Sequence, residues 1–274
     1  MGMWIMAGVT FREAARKRVL WMALVAGFAF LALFGTGLHF QVESLQKASP
    51  LMRRQALNAM LMVGIYAADL LTVLMAVLIS VDTLSGEIAS GAIHAIATKP
   101  IRRVDILLGK WAGFVAMLAV YVALMVGGVT GLGYLLSGAT VRHLLEGSCL
   151  IFLESILLLS LTLLCGTEFS TLTNGVLVLG LQGVAFLGGW IEQGGAVTHS
   201  PRALDVGIIA SIVMPSESLW RRAAFEMQSP LLGAMHMSPF SNASVPSLAM
   251  IAYAAIYLAA ALAFALRAFH QKDL

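Results

Sequence analysis

Six stretches of this chain are long, almost uncharged and about twenty residues each, and no other feature restricts its fold as severely. They lie near Val19–Leu38, Ala59–Ser80, Trp111–Leu136, Leu144–Cys165, Thr171–Ile191 and Leu248–Leu266. A helix rises ~1.5 Å per residue, so each tract can cross ~30 Å of hydrocarbon. They read as helices rather than barrel strands, because none alternates apolar with polar residues. Composition agrees: the chain is 59% hydrophobic and 11% charged, against roughly 25% charged in a soluble domain. A water-soluble fold of this length could not bury that much apolar surface. The expectation is an all-α integral membrane protein, a single transmembrane domain over residues 1–274.

The first tract reads as a retained span rather than a cleaved signal, since a long charged segment precedes it and it exceeds the ~7–15 residues of a signal core. Orientation follows from Lys and Arg. With the N-terminus inside, the inner segments hold Arg12, Arg16, Lys17, Arg18, Lys99, Arg102, Arg103, Lys110, Arg267 and Lys272, 10 of the 17 cations. That bias places both termini in the cytoplasm. The segment 192–247 then falls outside as an extracytoplasmic or re-entrant stretch, although it carries the pair Arg221-Arg222. Its apolar piece Val206–Met214 is too short to span and reads as a re-entrant or interfacial helix. Residues 1–18 mix Trp4, Ile5, Val9 and Phe11 with four cations, a composition suited to an interfacial helix in the headgroup layer.

The loop 82–110, between the second and third tracts, is the most specific segment. Ile88, Ala92, Ile93 and Ile96 recur at helical spacing, Asp82 or Thr83 can cap the start, and Pro100 stops the helix after Lys99. A short amphipathic helix, Thr83–Thr98, is therefore expected on the cytoplasmic side. It is too polar at Ser85, Glu87 and Ser90 to enter the bilayer, yet its apolar stripe has no core of its own to join.

The string Glu87-x-x-x-Gly91-x-Ile93, then Thr98-Lys99-Pro100-Ile101-x-Arg103, then Ile106-Leu107-Leu108-Gly109-Lys110 resembles the cytoplasmic-loop signature of ABC-2 type permeases, the membrane subunits of type-two ABC exporters. The opening Thr10-Phe11-Arg12-Glu13-Ala14 and Arg18-Val19-Leu20-Trp21 is similar to the way many of them begin. Pro215-x-Glu217-x-x-x-Arg221 resembles a Pro-x-Asp-x-x-x-Arg stretch in permeases related to the nitrous-oxide-reductase maturation exporter, with Glu217 in place of Asp. A second departure is Ala92, where the family usually has Thr.

The resemblance implies a permease in the cytoplasmic (inner) membrane that drives export, or serves an extracytoplasmic accessory protein, with energy from elsewhere. Its partners would be two copies of an ABC ATPase, a second permease subunit in a homodimer or heterodimer, and membrane lipid; no nucleic acid is implied. Glu87, Gly91, Ile93, Lys99, Pro100 and Arg103 would couple the loop to the ATPase. The chain itself lacks a Gly-x-x-x-x-Gly-Lys-Ser/Thr phosphate loop, and Gly109-Lys110 runs into Trp111. It is therefore read as a transport subunit without catalytic residues or a cofactor of its own, ATP and Mg being held by the partner.

Asp69 and Glu154 fall near the middle of the second and fourth tracts, with no Lys or Arg at similar depth. Burying a charge there costs at least ~2.5 kcal/mol. They are either uncharged packing groups or the lining of a polar substrate path between subunits. Gly109-x-x-x-Gly113 and Gly127-x-x-x-Gly131 permit close helix approach. Cys149 and Cys165 read as small buried thiols. Met235-His236-Met237 carries soft ligands that suit cuprous copper, but a Met-rich apolar segment needs no metal, so none is assigned. Two other classes remain: an ion-coupled carrier using Asp69 and Glu154, which would leave the loop helix without a role, and an intramembrane enzyme recruiting His94, His143 and Glu154. In the latter, His94 and His143 would lie on opposite sides of the membrane.

Overall fold

The computed structural model describes residues 2–86, 102–229 and 244–272. Among them the chain is helical, with no strand: α1 (Gly2–Arg16), α2 (Arg18–Ser44), α3 (Pro50–Ser80), α4 (Arg103–Ser137), α5 (Leu144–Glu168), α6 (Thr171–Thr198), α7 (Pro201–Val213), α8 (Ser216–Met227) and α9 (Leu248–Gln271). Helices α2, α3, α4, α5, α6 and α9 are each long and apolar enough to cross a membrane. The protein is an all-α, multi-pass membrane protein.

The helices outrun the apolar tracts because hydropathy registers only the lipid-facing length. Ser49 caps α3 by accepting from the Met52 N–H (3.3 Å), and Pro50 opens the helix. The polar turn with Arg53 and Arg54 is therefore already helical, well before Ala59. At the other boundary the loop 82–110 is shorter than expected. Arg102 is extended and α4 starts at Arg103 with Asp105 in its first turn, where a carboxylate suits the positive helix end. Arg103–Lys110 is thus helix rather than loop, and Lys110 is buried. Gly138 ends α4 in the left-handed region (φ 66°), its N–H bonding Tyr134 O, a conformation that glycine adopts without cost.

Helices α3, α4 and α5 form the buried centre, with α2 and α9 at the periphery. Helix α1 breaks from α2 at the extended Lys17 and lies against α4, burying Met6, Thr10 and Ala14 while Trp4, Ile5, Val9 and Phe11 stay exposed beside Arg12 and Arg16. Gly113 permits that approach, for a Cβ there would meet Ala7 O at 2.8 Å. Gly127 and Gly131 have no neighbour within 4 Å, so they serve no packing among the described residues. Arg103 donates to His270 O (3.2 Å) and Lys272 O (2.6 Å), and Lys272 Nζ donates to Thr167 O. The C-terminal end of α9 therefore sits at the same end of the bundle as the start of α4.

The stretch after α6 is not a simple external loop. Helices α7 and α8 are bent by 107° at Met214–Pro215. Small residues let α7 lie on α6: a Cβ at Gly188 would come 2.2 Å from Ala210 Cβ, and one at Gly207 equally close to Glu192 Cβ. Ser216, at the bend, bonds Gln182 in mid-α6, whereas Met227 touches Gly147 near the start of α5 and Ser229 N bonds Asn58 Oδ1 near the start of α3. The pair thus dips to the middle of the bundle and returns to the end where it began.

Candidate functional site: a buried carboxyl cluster

At the bottom of that dip, helices α3, α5, α6 and α8 converge on a polar interior. Asp69 from α3 and Glu154 from α5 are 5% and 1% exposed. Glu217, on the first turn of α8, joins them, and the three carboxyl groups and Tyr66 lie within electrostatic range of one another. Gln182 Nε2 donates to Glu154 Oε1 (3.4 Å), and its amide oxygen accepts from Ser216 Oγ (2.5 Å). The Tyr66 ring packs on Trp220 at 5.1 Å between centroids. Asp69 Oδ1 and Glu154 Oε2 are fully enclosed and have no hydrogen-bond partner among the described residues. An unmatched polar atom in an apolar interior is costly, and membrane chains concentrate such groups where something polar passes.

Asp69 and Glu154 face the interior of this one chain rather than an exposed flank. A buried cation also stands near the cluster. Arg221, one turn beyond Glu217, is 2% exposed. It donates to Glu192 Oε2 (2.9 Å) and to the hydroxyls of Ser211 (3.3 Å) and Ser218 (3.5 Å), while Ser244 Oγ donates to Glu192 Oε1 (2.6 Å). The apolar tract Thr171–Ile191 ends one residue before Glu192. The fold instead carries α6 on to Thr198 and turns Glu192 inward. The signal available in the sequence was the Pro215-x-Glu217-x-x-x-Arg221 string. Pro215 sits at the bend, Glu217 faces the carboxyl cluster and Arg221 fastens α8 to α6.

At the Ser80–Arg103 end, polar side chains tie the loop to the bundle. Asn174 Nδ2 donates to Thr162 O (3.0 Å) and Val81 O (3.3 Å), Thr171 Oγ1 donates to Asp82 Oδ1 (3.1 Å), and Ser85 and Thr171 share a hydroxyl bond of 2.9 Å. Asp82 thus engages α6. The other loop boundary is held by Arg103 on the end of α9. Glu87, Gly91, Ile93, Lys99 and Pro100 lie outside the described residues, as do most of the expected helix Thr83–Thr98, His94 and Met235-His236-Met237. His143 is exposed and pairs with Glu146 at 3.1 Å. Glu226 lies close by, but Arg222 holds it at 2.5 Å, which leaves the group a surface charge cluster. Of the two cysteines only Cys165 is buried; Cys149 is exposed on the outer face of α5, contrary to expectation.

Residues 4–193 match the family described as ABC-2 family transporter protein, a stretch running from α1 through most of α6 and including the loop, Asp69 and Glu154. It ends before Pro215, so the bent pair lies beyond it. No curated protein matches the chain.

Proposed function

Because the chain belongs to the ABC-2 transporter family, we propose that it is the permease subunit of an ATP-driven exporter, coupling hydrolysis by a separate ABC ATPase to movement of its membrane helices. The observation that carries this reading is the loop between α3 and α4. It resembles the family's cytoplasmic-loop signature, it lies within the matched stretch, and both of its ends are fastened to the bundle. A push delivered there reaches α6 through Thr171 and Asn174 and reaches α9 through Arg103. Coupling between a nucleotide site and a transport path requires an element that passes such a push on as a rigid body between two states.

In this reading two ATPase subunits hold ATP and Mg, the loop and both termini face the cytoplasm, and two permease subunits assemble in the inner membrane. Glu87, Gly91, Ile93, Lys99, Pro100 and Arg103 form the contact with the ATPase. Asp69 and Glu154, with Glu217, line the polar stretch of the path, which α8 closes from one end. The Pro215-x-Glu217-x-x-x-Arg221 string supports a kinship with permeases serving the maturation of an extracytoplasmic enzyme.

The test is co-purification of the ATPase with wild-type chain and with Gly91→Trp and Glu87→Lys, together with ATP turnover and transport after reconstitution. Central interface residues carry most of the binding energy, so each change should cost ~2 kcal/mol or more. If both variants keep the ATPase and full coupled transport, the loop is not the transmission. Transport that needs no ATPase would instead favour an ion-coupled carrier.

A further inference from the structure

At the end of the bundle opposite the loop, the turns α2–α3 and α4–α5 and the residue after α8 enclose a cavity of about 720 Å³. That is within the ~300–1,000 Å³ of small-molecule sites. Arg53 and Arg54, on the first turn of α3, line it with Asn58, Ser137, Thr140 and Ser229. None of its described lining residues is acidic. Neither guanidinium has a hydrogen bond or ion pair among the described residues, unlike Arg103, Arg221 and Arg222, each of which is held by acceptors of this chain. Glu43, close by in sequence, is already engaged by His39 at 3.4 Å. The cavity also receives the positive end of α3, which adds to the two charges. Paired guanidinium forks beside neutral donors match the planar, multidentate geometry of a phosphate-type oxyanion.

A second feature indicates what carries that oxyanion. The last turns of α4, which give Ser137 to the cavity, also give Leu132 and Leu136 to an apolar groove of about 480 Å³ against Leu31, Gly35 and Phe40 of α2. At Gly35 α2 has no side chain, and Leu132 lies close against it: a Cβ there would meet the Leu132 methyls at 3.5 and 3.6 Å. A cationic chamber and an apolar trough served by the same helix end suit a molecule that is anionic at one end and hydrocarbon at the other. We propose that this end of the permease binds an anionic amphiphile, its phosphate-type headgroup on Arg53 and Arg54 and its chain in the groove between α2 and α4. This binding does not depend on the ATP-coupling reading and is measured without the ATPase.

The experiment places the full chain in phosphatidylcholine nanodiscs containing a minor fraction of phosphatidylglycerol with the same acyl chains. Native mass spectrometry then measures which lipid each protein retains on release. The wild type should retain phosphatidylglycerol about tenfold over its bulk ratio, as expected when one charge-assisted hydrogen bond beyond those to phosphatidylcholine is made. R53Q/R54Q should lose that preference. R142Q, which removes an exposed cation at the same end but outside the cavity lining, should keep it. Thr140→Phe, which puts a ring into the cavity from its rim and leaves both guanidiniums in place, should also lose it, and so separates occupancy from charge. Unchanged melting in pure phosphatidylcholine shows that the variants are folded. Retention by R53Q/R54Q equal to the wild type overturns the proposal. Complete displacement of phosphatidylglycerol by millimolar inorganic phosphate would assign the cavity to a soluble oxyanion and overturn the amphiphile.

Discussion

Replacing Glu192 by Ala leaves the Arg221 guanidinium, 2% exposed, without its carboxylate. The hydroxyls of Ser211 and Ser218 that it also reaches, at 3.3 and 3.5 Å, are near the limit of a useful hydrogen bond. Removing one partner of a buried pair costs about 3–5 kcal/mol. Loss of the Ser244 bond to Glu192 adds only ~1 kcal/mol, so the orphaned charge decides the outcome. A cavity of about 230 Å³ borders the pair, and water entering it would bring the cost towards the lower value. Arg221→Ala should cost a similar amount. The double change Glu192→Met with Arg221→Met should recover most of the loss, because no charge is then left unpaired. Reversible unfolding in mixed detergent micelles, followed by circular dichroism across an SDS titration, measures each term of the cycle. Single changes within ~0.5 kcal/mol of wild type, or a double change that is simply additive, would refute the claim that this pair holds α8 against α6.

Two further outcomes follow from the same geometry. Gly207→Ala should destabilise by about 1–3 kcal/mol, because its Cβ would meet the Glu192 Cβ and backbone. Gly180→Ala, with nothing within 4 Å, should be neutral or gain about 0.5–1 kcal/mol; equal effects in the same SDS titration would contradict the packing of α7 on α6. Asp69→Asn and Glu154→Gln, near-isosteric changes at buried carboxyls, should leave insertion and monodispersity intact while lowering transport or substrate-stimulated ATP turnover about tenfold, a barrier change of ~1.4 kcal/mol. Full activity in both variants would make these residues packing groups.

Hydropathy alone was sufficient for the fold class and the six long helices, because the bilayer imposes a minimum apolar length that any spanning helix must show. The loop string likewise indicated the family without tertiary information, since its residues are contiguous. Their placement lies largely outside the described residues, so their role rests on sequence and on the bonds at Asp82, Ser85 and Arg103. Asp69 and Glu154 stood out as charges in apolar tracts, but a linear reading could not say which way each faced. Rotation about a helix axis is decided by neighbouring helices, and here it turns both inward to meet Glu217. The re-entrant character of Val206–Met214 was legible from its length, whereas its return arm α8 and the seat of the pair in the bundle were hidden for a related reason. Each helix is too short to register as a span, and what lets α7 lie back on α6 is the absence of side chains at Gly188, Gly195 and Gly207, a fit in space that hydropathy does not record. Arg221 looked like an external cation for the same reason: only when α8 is packed against α6 does Glu192, 29 residues earlier, become its partner. Composition and length determined what could cross the membrane; which polar groups met inside was decided by tertiary packing, because pairing across helices depends on distances in space that a sequence does not contain.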